Sequence, residues 1–242
     1  MTKIALDTAA AEAQFLPFGA VEAVPLSGFQ KVVARRLSHS WTTVPHVTHH
    51  DDVDVTVLDV YRKSLSSDVK ISPLIFLAKA LARVLAEFPT FNASLSEDGL
   101  TLIYKRYFHI GIAVDGPLGL LVPVLRDVDG KSLEMLATEL SELSAQARGK
   151  GLPMALMSGG CMTITSLGGI GGTGFTPIIN PPEVAILGVT PSRTVAVWDG
   201  SGFQPRLMMP LSLSYDHRVI NGADAARFVR RLGALLAEPE SL

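Results

Sequence analysis

Apolar and polar positions repeat with two different periods along this chain. Val32, Val33 and Leu37 gather on one side of a 3.6-residue repeat, with Lys31, Arg35 and Arg36 elsewhere, so a helix is predicted after Ser27-Gly28-Phe29, closed by Pro45. Over residues 47–58 the period falls to two: Val53, Val55 and Val57 alternate with Asp54 and Thr56, predicting a strand. Ser72-Pro73 supplies a hydroxyl at the N-cap and a proline at the first helical position for a helix over residues 74–88, stopped by Pro89. After a turn at Glu97-Asp98-Gly99, residues 102–114 and 120–125 read as strands separated by Asp115-Gly116-Pro117. Leu133, Leu136, Leu140 and Leu143 share one face of a helix running to Ala147. Further strands are predicted at 161–165, 184–189, 194–198 and 207–214, and a last helix at 223–237 with Phe228, Leu232, Leu235 and Leu236 inward.

Helices interspersed with hairpin-like strand pairs, instead of a regular strand–helix repeat, predict an α/β fold: a two-layer sandwich with a mixed β-sheet. Residues 1–24 are alanine-rich without a clear period and read as an N-terminal arm or linker remnant, leaving residues 25–242 as one catalytic-sized domain. At 242 residues, 48% hydrophobic and 18% charged, the chain can bury one large core. A net charge of −2 without long like-charge runs argues against nucleic acid as a partner. The single Cys161 excludes an internal disulfide and a multi-cysteine zinc site. The most apolar stretch, 71–86, is interrupted by Lys79 and Arg83 and is too short to span a bilayer. No basic segment followed by an apolar block opens the chain, so a soluble, cytoplasmic protein without a membrane role is expected.

Three clusters invite chemistry. Gly169-Ile170-Gly171-Gly172-Thr173-Gly174 spells a dinucleotide fingerprint, but that motif works by opening a helix under a pyrophosphate. Here Phe175-Thr176-Pro177 and then Pro181-Pro182 follow, so a loop is expected instead. His46, His49, His50, Asp51 and Asp52 have metal-ligand chemistry, yet on a strand His49 and Asp51 face away from His50 and Asp52, and no metal site is expected. The lone His39 and His109 read as packing or surface residues. The third cluster runs from Leu211 to Asp224: a strand with alternating hydroxyls ends in Asp216-His217-Arg218, passes Gly222 and enters an amphipathic helix. From spacing alone His217 is either a reactive side chain held at a sheet edge or a histidine in a surface ion cluster.

Asp216-His217-Arg218-x-x-Asn221-Gly222 resembles the active-site signature of dihydrolipoamide acyltransferases, the core components of 2-oxo acid dehydrogenase complexes. It is also related to the His-x-x-x-Asp-Gly motif of chloramphenicol acetyltransferase. Phe88-Pro89-Thr90-Phe91-Asn92-Ala93, His109-Ile110-Gly111-Ile112-Ala113-Val114 and Gly119-Leu120-Leu121-Val122-Pro123-Val124 look like the same family. So do Thr163-Ile164-Thr165-Ser166-Leu167-Gly168, Phe175-Thr176-Pro177-Ile178-Ile179-Asn180 and Pro182-Glu183-Val184-Ala185-Ile186-Leu187-Gly188-Val189. These matches run in family order over about residues 26–238, and Tyr215-Asp216-His217-Arg218-Val219-Ile220-Asn221-Gly222 is most similar to the acetyl-transferring, pyruvate-type members.

The resemblance implies a chloramphenicol acetyltransferase-like fold and transfer of an acetyl group between the thiols of a dihydrolipoyl arm and coenzyme A, without a metal. It implies His217 as general base, Thr165 as hydroxyl donor to the oxyanion, Phe175 and Leu187 as walls of the substrate channel, and Asp216 and Arg218 as a structural ion pair. Asn221 stands where many members carry Asp; an amide cannot titrate, so a hydrogen-bonding, orienting role is expected. It further implies a homotrimer with His217 and Thr165 meeting across subunits, assembly into a larger shell, and decarboxylase and dihydrolipoamide dehydrogenase components as partners. No Asp-Lys-Ala-like attachment segment is visible, so the lipoyl group is expected on a separate lipoyl domain, and the chain as a core cut from a longer polypeptide or a stand-alone relative. Two other functions fit the same scaffold: an acyltransferase using coenzyme A on a small hydroxyl or amine, and a non-catalytic shell component.

Overall fold

Alanine favours helix over every other residue, and the small-residue run that shows no period in the sequence is helical: α1 spans Thr8–Phe15 and passes into a 3-10 turn at Leu16–Phe18. The computed structural model describes residues 8–66, 69–117 and 119–242. The helix α2, Gly28–Thr43, starts with a reciprocal cap in which Gln30 N–H donates to Ser27 Oγ (3.1 Å) and Ser27 N–H donates to Gln30 Oε1 (2.8 Å). Contacts divide the chain within this helix, between Arg35 and Arg36, whereas composition drew its line at 24/25.

From Arg36 onward a seven-stranded mixed sheet is the organising element. Its strands are β1 (His46–Asp54), β4 (Ile110–Ile112), β5 (Val124–Leu125), β6 (Met162–Ser166), β7 (Ala185–Val189), β8 (Arg193–Trp198) and β9 (Phe203–Asp216). The order is β1-β9-β7-β6-β4-β5, with β8 added along the first half of β9. Only β4–β6 and β6–β7 are parallel. The helices α3 (Thr56–Ser64), α4 (Pro73–Glu87), α5 (Leu133–Gly149) and α6 (Gly222–Ala237) form the second layer. Their apolar sides meet Val53, Ile112, Ile164, Leu187, Leu211, Leu213 and Tyr215 in one core. A separate hairpin pairs β2 (Ala93–Leu95) with β3 (Leu102–Tyr104). No helix among the described residues is long and apolar enough to cross a membrane.

Three sequence expectations need correction. The strand over 47–58 stops at Asp54, whose Oδ1 accepts from Thr56 N (2.9 Å) and Thr56 Oγ1 (2.6 Å); this turn starts α3, which periodicity missed. The run 102–114 is two strands in two different sheets, β3 and β4. Ser72 sits at the N-cap of α4 without accepting a side-chain hydrogen bond, so Pro73 alone sets that start.

Helix α4 is buried nearly all round, and its one buried charge, Lys79, is satisfied by backbone. Lys79 Nζ donates to the carbonyls of Val128 (3.1 Å), Asp129 (2.8 Å) and Lys131 (2.6 Å), tying the 3-10 turn Val128–Gly130 to the helix. Burial holds the Lys79 pKa below its ordinary value. Lys79→Met removes the donor to all three oxygens and is expected to cost about 2–3 kcal/mol of stability, read as a lowered urea midpoint against wild type.

Candidate active site

Strand β9 carries the signature residues to the edge of the fold. Its inward side chains, Leu211, Leu213 and Tyr215, are buried in the core, and the pleat sends Ser212, Ser214 and Asp216 to the other face. Asp216 is 3% exposed, and its carboxylate accepts from Arg218 N (3.0 Å), Nε (3.0 Å) and Nη2 (2.6 Å). The carboxylate in turn raises the Arg218 pKa. The Asp216 carbonyl accepts from Val219 N–H (3.0 Å) and Ile220 N–H (2.9 Å), and the strand ends in a tight turn. Between these residues His217 N–H donates to Pro45 O (3.1 Å), and the imidazole projects into solvent.

Asn221 caps α6. Its Oδ1 accepts from Asp224 N–H (3.0 Å) and its Nδ2 donates to Asp224 Oδ2 (2.6 Å). The amide thereby locks the start of the helix behind the His217 turn.

Thr165 lies elsewhere on the sheet. Registers place His50, Ser212, Gly188 and Thr165 in one row across β1, β9, β7 and β6, on the face away from the helices. His50 Nδ1 and Ser212 Oγ are 2.9 Å apart, and Thr48 Oγ1 and Ser214 Oγ in the next row are 2.8 Å apart, so this face is lined with hydroxyls. Ser166 turns the other way and accepts from Gly168 N–H (3.2 Å). Ser212 precedes His217 by five strand positions, which is about 17 Å at strand rise. Within one chain, His217 and Thr165 do not meet.

The glycine-rich stretch forms a turn and an irregular loop with no helix after it. Phe175, at its end, lies over Gly188: a Cβ built on Gly188 would stand 2.8 Å from Phe175 Cζ, so only glycine admits the ring there. Phe175 also borders a cleft of about 590 Å³ with His50, Thr173, Thr176 and Leu211. Leu187 is fully buried on the helix side, in the core, while its neighbour Gly188 faces the open side. Among the described residues no three His, Cys, Asp or Glu side chains are grouped to hold a metal. His50 and Ser212 pair on the open face, while Asp51 reaches Arg230 of α6 (3.5 Å).

Sequence reasoning gave Glu183 no role beyond its place in a motif. It is buried at the entry to β7, where its Oε1 accepts from Thr163 Oγ1 (2.9 Å) and its Oε2 has no hydrogen-bond partner among the described residues. Burial pushes its pKa up to about 7 against the opposing pull of the Thr163 hydrogen bond. A charge directly before an apolar run reads as a strand edge, and no residue spacing signals its burial.

Comparison with known proteins gives one consistent set. The catalytic-domain model of the 2-oxoacid dehydrogenases acyltransferase family matches residues 18–242. The dihydrolipoyllysine-residue acetyltransferase component of the pyruvate dehydrogenase complex of Pseudomonas aeruginosa is 55% identical over 236 residues, 96% of this chain and 43% of that protein. The chain spans about two fifths of the length of the curated relatives it matches. A solved structure of Azotobacter vinelandii dihydrolipoamide acetyltransferase, investigated for the role of a serine, a histidine and an asparagine in its catalytic mechanism, has a TM-score of 0.93 at 50% identity, covering 100% of this chain and 99% of that one. The cubic core of the pyruvate dehydrogenase multienzyme complex gives 0.93 at 51% identity, with the same coverage. Chloramphenicol acetyltransferase shares the fold at TM-score 0.58 and 13% identity. The mixed-sheet α/β sandwich of chloramphenicol acetyltransferase type expected from the sequence is the fold observed.

The Glu183 carboxyl stays protonated in the native state above the pH at which the unfolded chain releases its proton. Stability attributable to this group therefore falls as pH rises from 4.5 to about 7 and is level above that, a difference of about 3 kcal/mol. Glu183→Gln keeps the acceptor for Thr163 and is expected to flatten this slope and raise the melting temperature at pH 8; an unchanged slope contradicts the burial argument.

Proposed function

This chain belongs to the 2-oxoacid dehydrogenases acyltransferase (catalytic domain) family, and on that premise we propose that it transfers an acetyl group from S-acetyldihydrolipoamide to coenzyme A in the cytoplasmic core of a pyruvate dehydrogenase complex. One observation carries the reading. In the Azotobacter vinelandii enzyme the investigated serine and asparagine stand 52 residues before and four residues after the histidine. Thr165 and Asn221 stand at those separations from His217.

The chemistry follows from thiol acidity. A neutral thiol attacks poorly, and the thiolate is the nucleophile. His217 takes the proton from the coenzyme A thiol, the sulfur attacks the thioester carbonyl, and a tetrahedral oxyanion forms. The Thr165 hydroxyl donates to that oxyanion; serine and threonine serve alike, since each brings one O–H. Collapse breaks the bond to the dihydrolipoyl sulfur, which recovers the proton from the His217 imidazolium. Asn221 takes part by holding α6 and the turn behind His217, and the ion pair of buried Asp216 with exposed Arg218 keeps that turn from opening.

The separation of His217 from Thr165 within one chain supports an assembly in which the two come from adjoining subunits, as a homotrimer and within a larger shell. The other substrate arrives on a lipoyl domain, and the decarboxylase and dihydrolipoamide dehydrogenase components are the partners. Phe175 forms part of the channel wall above Gly188.

Acetyl transfer assayed against dihydrolipoamide and against a panel of alcohols and amines is expected to run on the dithiol; an inert dithiol beside a reacting alcohol overturns the reading. His217→Ala is expected to lower kcat at least about 100-fold, and Thr165→Val about 100- to 1,000-fold. Co-assembly of these two inactive variants is expected to recover activity, because mixed interfaces contain one intact pair. No recovery places both groups within one subunit's site.

A further inference from the structure

We infer that His46 is a positioning residue for the reaction proposed above, fixing the His217 turn and the segment behind Phe175 in one frame; the inference rests on that reading of the function. His46 opens β1, directly opposite Asp216 in the strand register. Its ring touches two backbone groups of opposite kind. Nδ1 lies 2.8 Å from Val44 O, which only accepts, so Nδ1 carries the proton. Ile179 N–H donates to Nε2 at 3.0 Å, so Nε2 offers its lone pair. One neutral tautomer satisfies both bonds, and neither nitrogen is left to act as base or ligand.

The two anchored segments are those that shape the site. Ile179 lies four residues beyond Phe175, in the irregular stretch that brings the phenyl ring over Gly188. Its carbonyl accepts from the buried Ser40 Oγ (2.7 Å), and Arg36 Nη2 donates to Asn180 Oδ1 (3.0 Å). On the other side Pro45, covalently next to His46, supplies the carbonyl that receives His217 N–H (3.1 Å). The imidazole thus ties Ile179, four residues past Phe175, to Val44, the residue before the proline that receives the N–H of the proposed base. A misplacement of about 1 Å in such a frame costs about 100-fold in rate without touching the reacting atoms.

The test compares His46→Leu, which removes both ring bonds, with His46→Gln, whose amide oxygen reaches the position of Nε2 and still accepts from Ile179 N–H. In the assembled full chain, His46→Leu is expected to lower kcat about 10- to 100-fold with little change in KM, and His46→Gln to restore most of the loss. Hydrogen exchange is expected to accelerate at residues 175–182 and 216–219 in the leucine variant and to stay slow in the glutamine variant. Wild-type kcat in His46→Leu, equal impairment in both variants, or lost kcat with unchanged exchange in those segments overturns the inference. Should His46→Leu not fold, His46→Asn takes its place, its shorter amide falling short of Ile179 N–H; faster exchange at 175–182 with lowered kcat supports the assignment, and wild-type exchange and kcat defeat it. A wild-type chain that transfers no acetyl group refutes the functional reading instead, while the exchange data still decide whether His46 anchors both segments.

Discussion

Everything in this fold answers to the two-residue period of β9. Fourteen residues long, it hydrogen-bonds to β1 along one edge and to β8 and then β7 along the other. Leu211, Leu213 and Tyr215 go into the core, and burying each large apolar side chain is worth about 1.5–3 kcal/mol. A slip by one residue would exchange them for Ser212, Ser214 and Asp216, leaving hydroxyls and a carboxylate beneath the helices and leucines outside. The core therefore sets the register, and the register sets where every polar group of the outer face stands. His217 is the first residue past that ladder, so its place at the sheet edge follows from the packing of residues far from it.

This division of labour explains which parts were legible beforehand. The helices α4, α5 and α6 and the strands β6 and β7 have long apolar patterns between clear stops, and burial reinforces what local preference already favours. Residues 47–58 mislead because Val53, Val55 and Val57 keep alternating with polar residues past the end of β1, although Val57 stands exposed in the first turn of α3. The deciding contact is the Asp54 carboxylate on Thr56, and alternation does not reveal it. The run 102–114 hides its break because its apolar residues serve two sheets in turn.

The site divides the same way. His217 and the Asp216–Arg218 pair sit on a strand–turn–helix junction that the sequence displays directly. Leu187 stands for a channel wall through the family resemblance alone, and the run Ala185–Val189, apolar throughout, carries no alternation to say that its side chain faces the core. Glu183 stayed hidden because only three-dimensional burial turns an ordinary carboxylate into a proton-retaining one. The role of His46 was equally invisible: its partners are backbone groups at Val44 and Ile179, one near in sequence and one 133 residues away.

Gly188 has a consequence beyond its own backbone. With no side chain there, the phenyl ring of Phe175 descends almost onto the strand, one register step from Thr165. The height of the ceiling over that threonine is thus governed by an empty spot the size of a methyl group. An alanine at this position would lift the aromatic lid and also press on Ser212, whose Cβ would lie 3.3 Å from the added methyl, so the bore of the passage and the hydroxyl row beneath it are set together by one missing side chain.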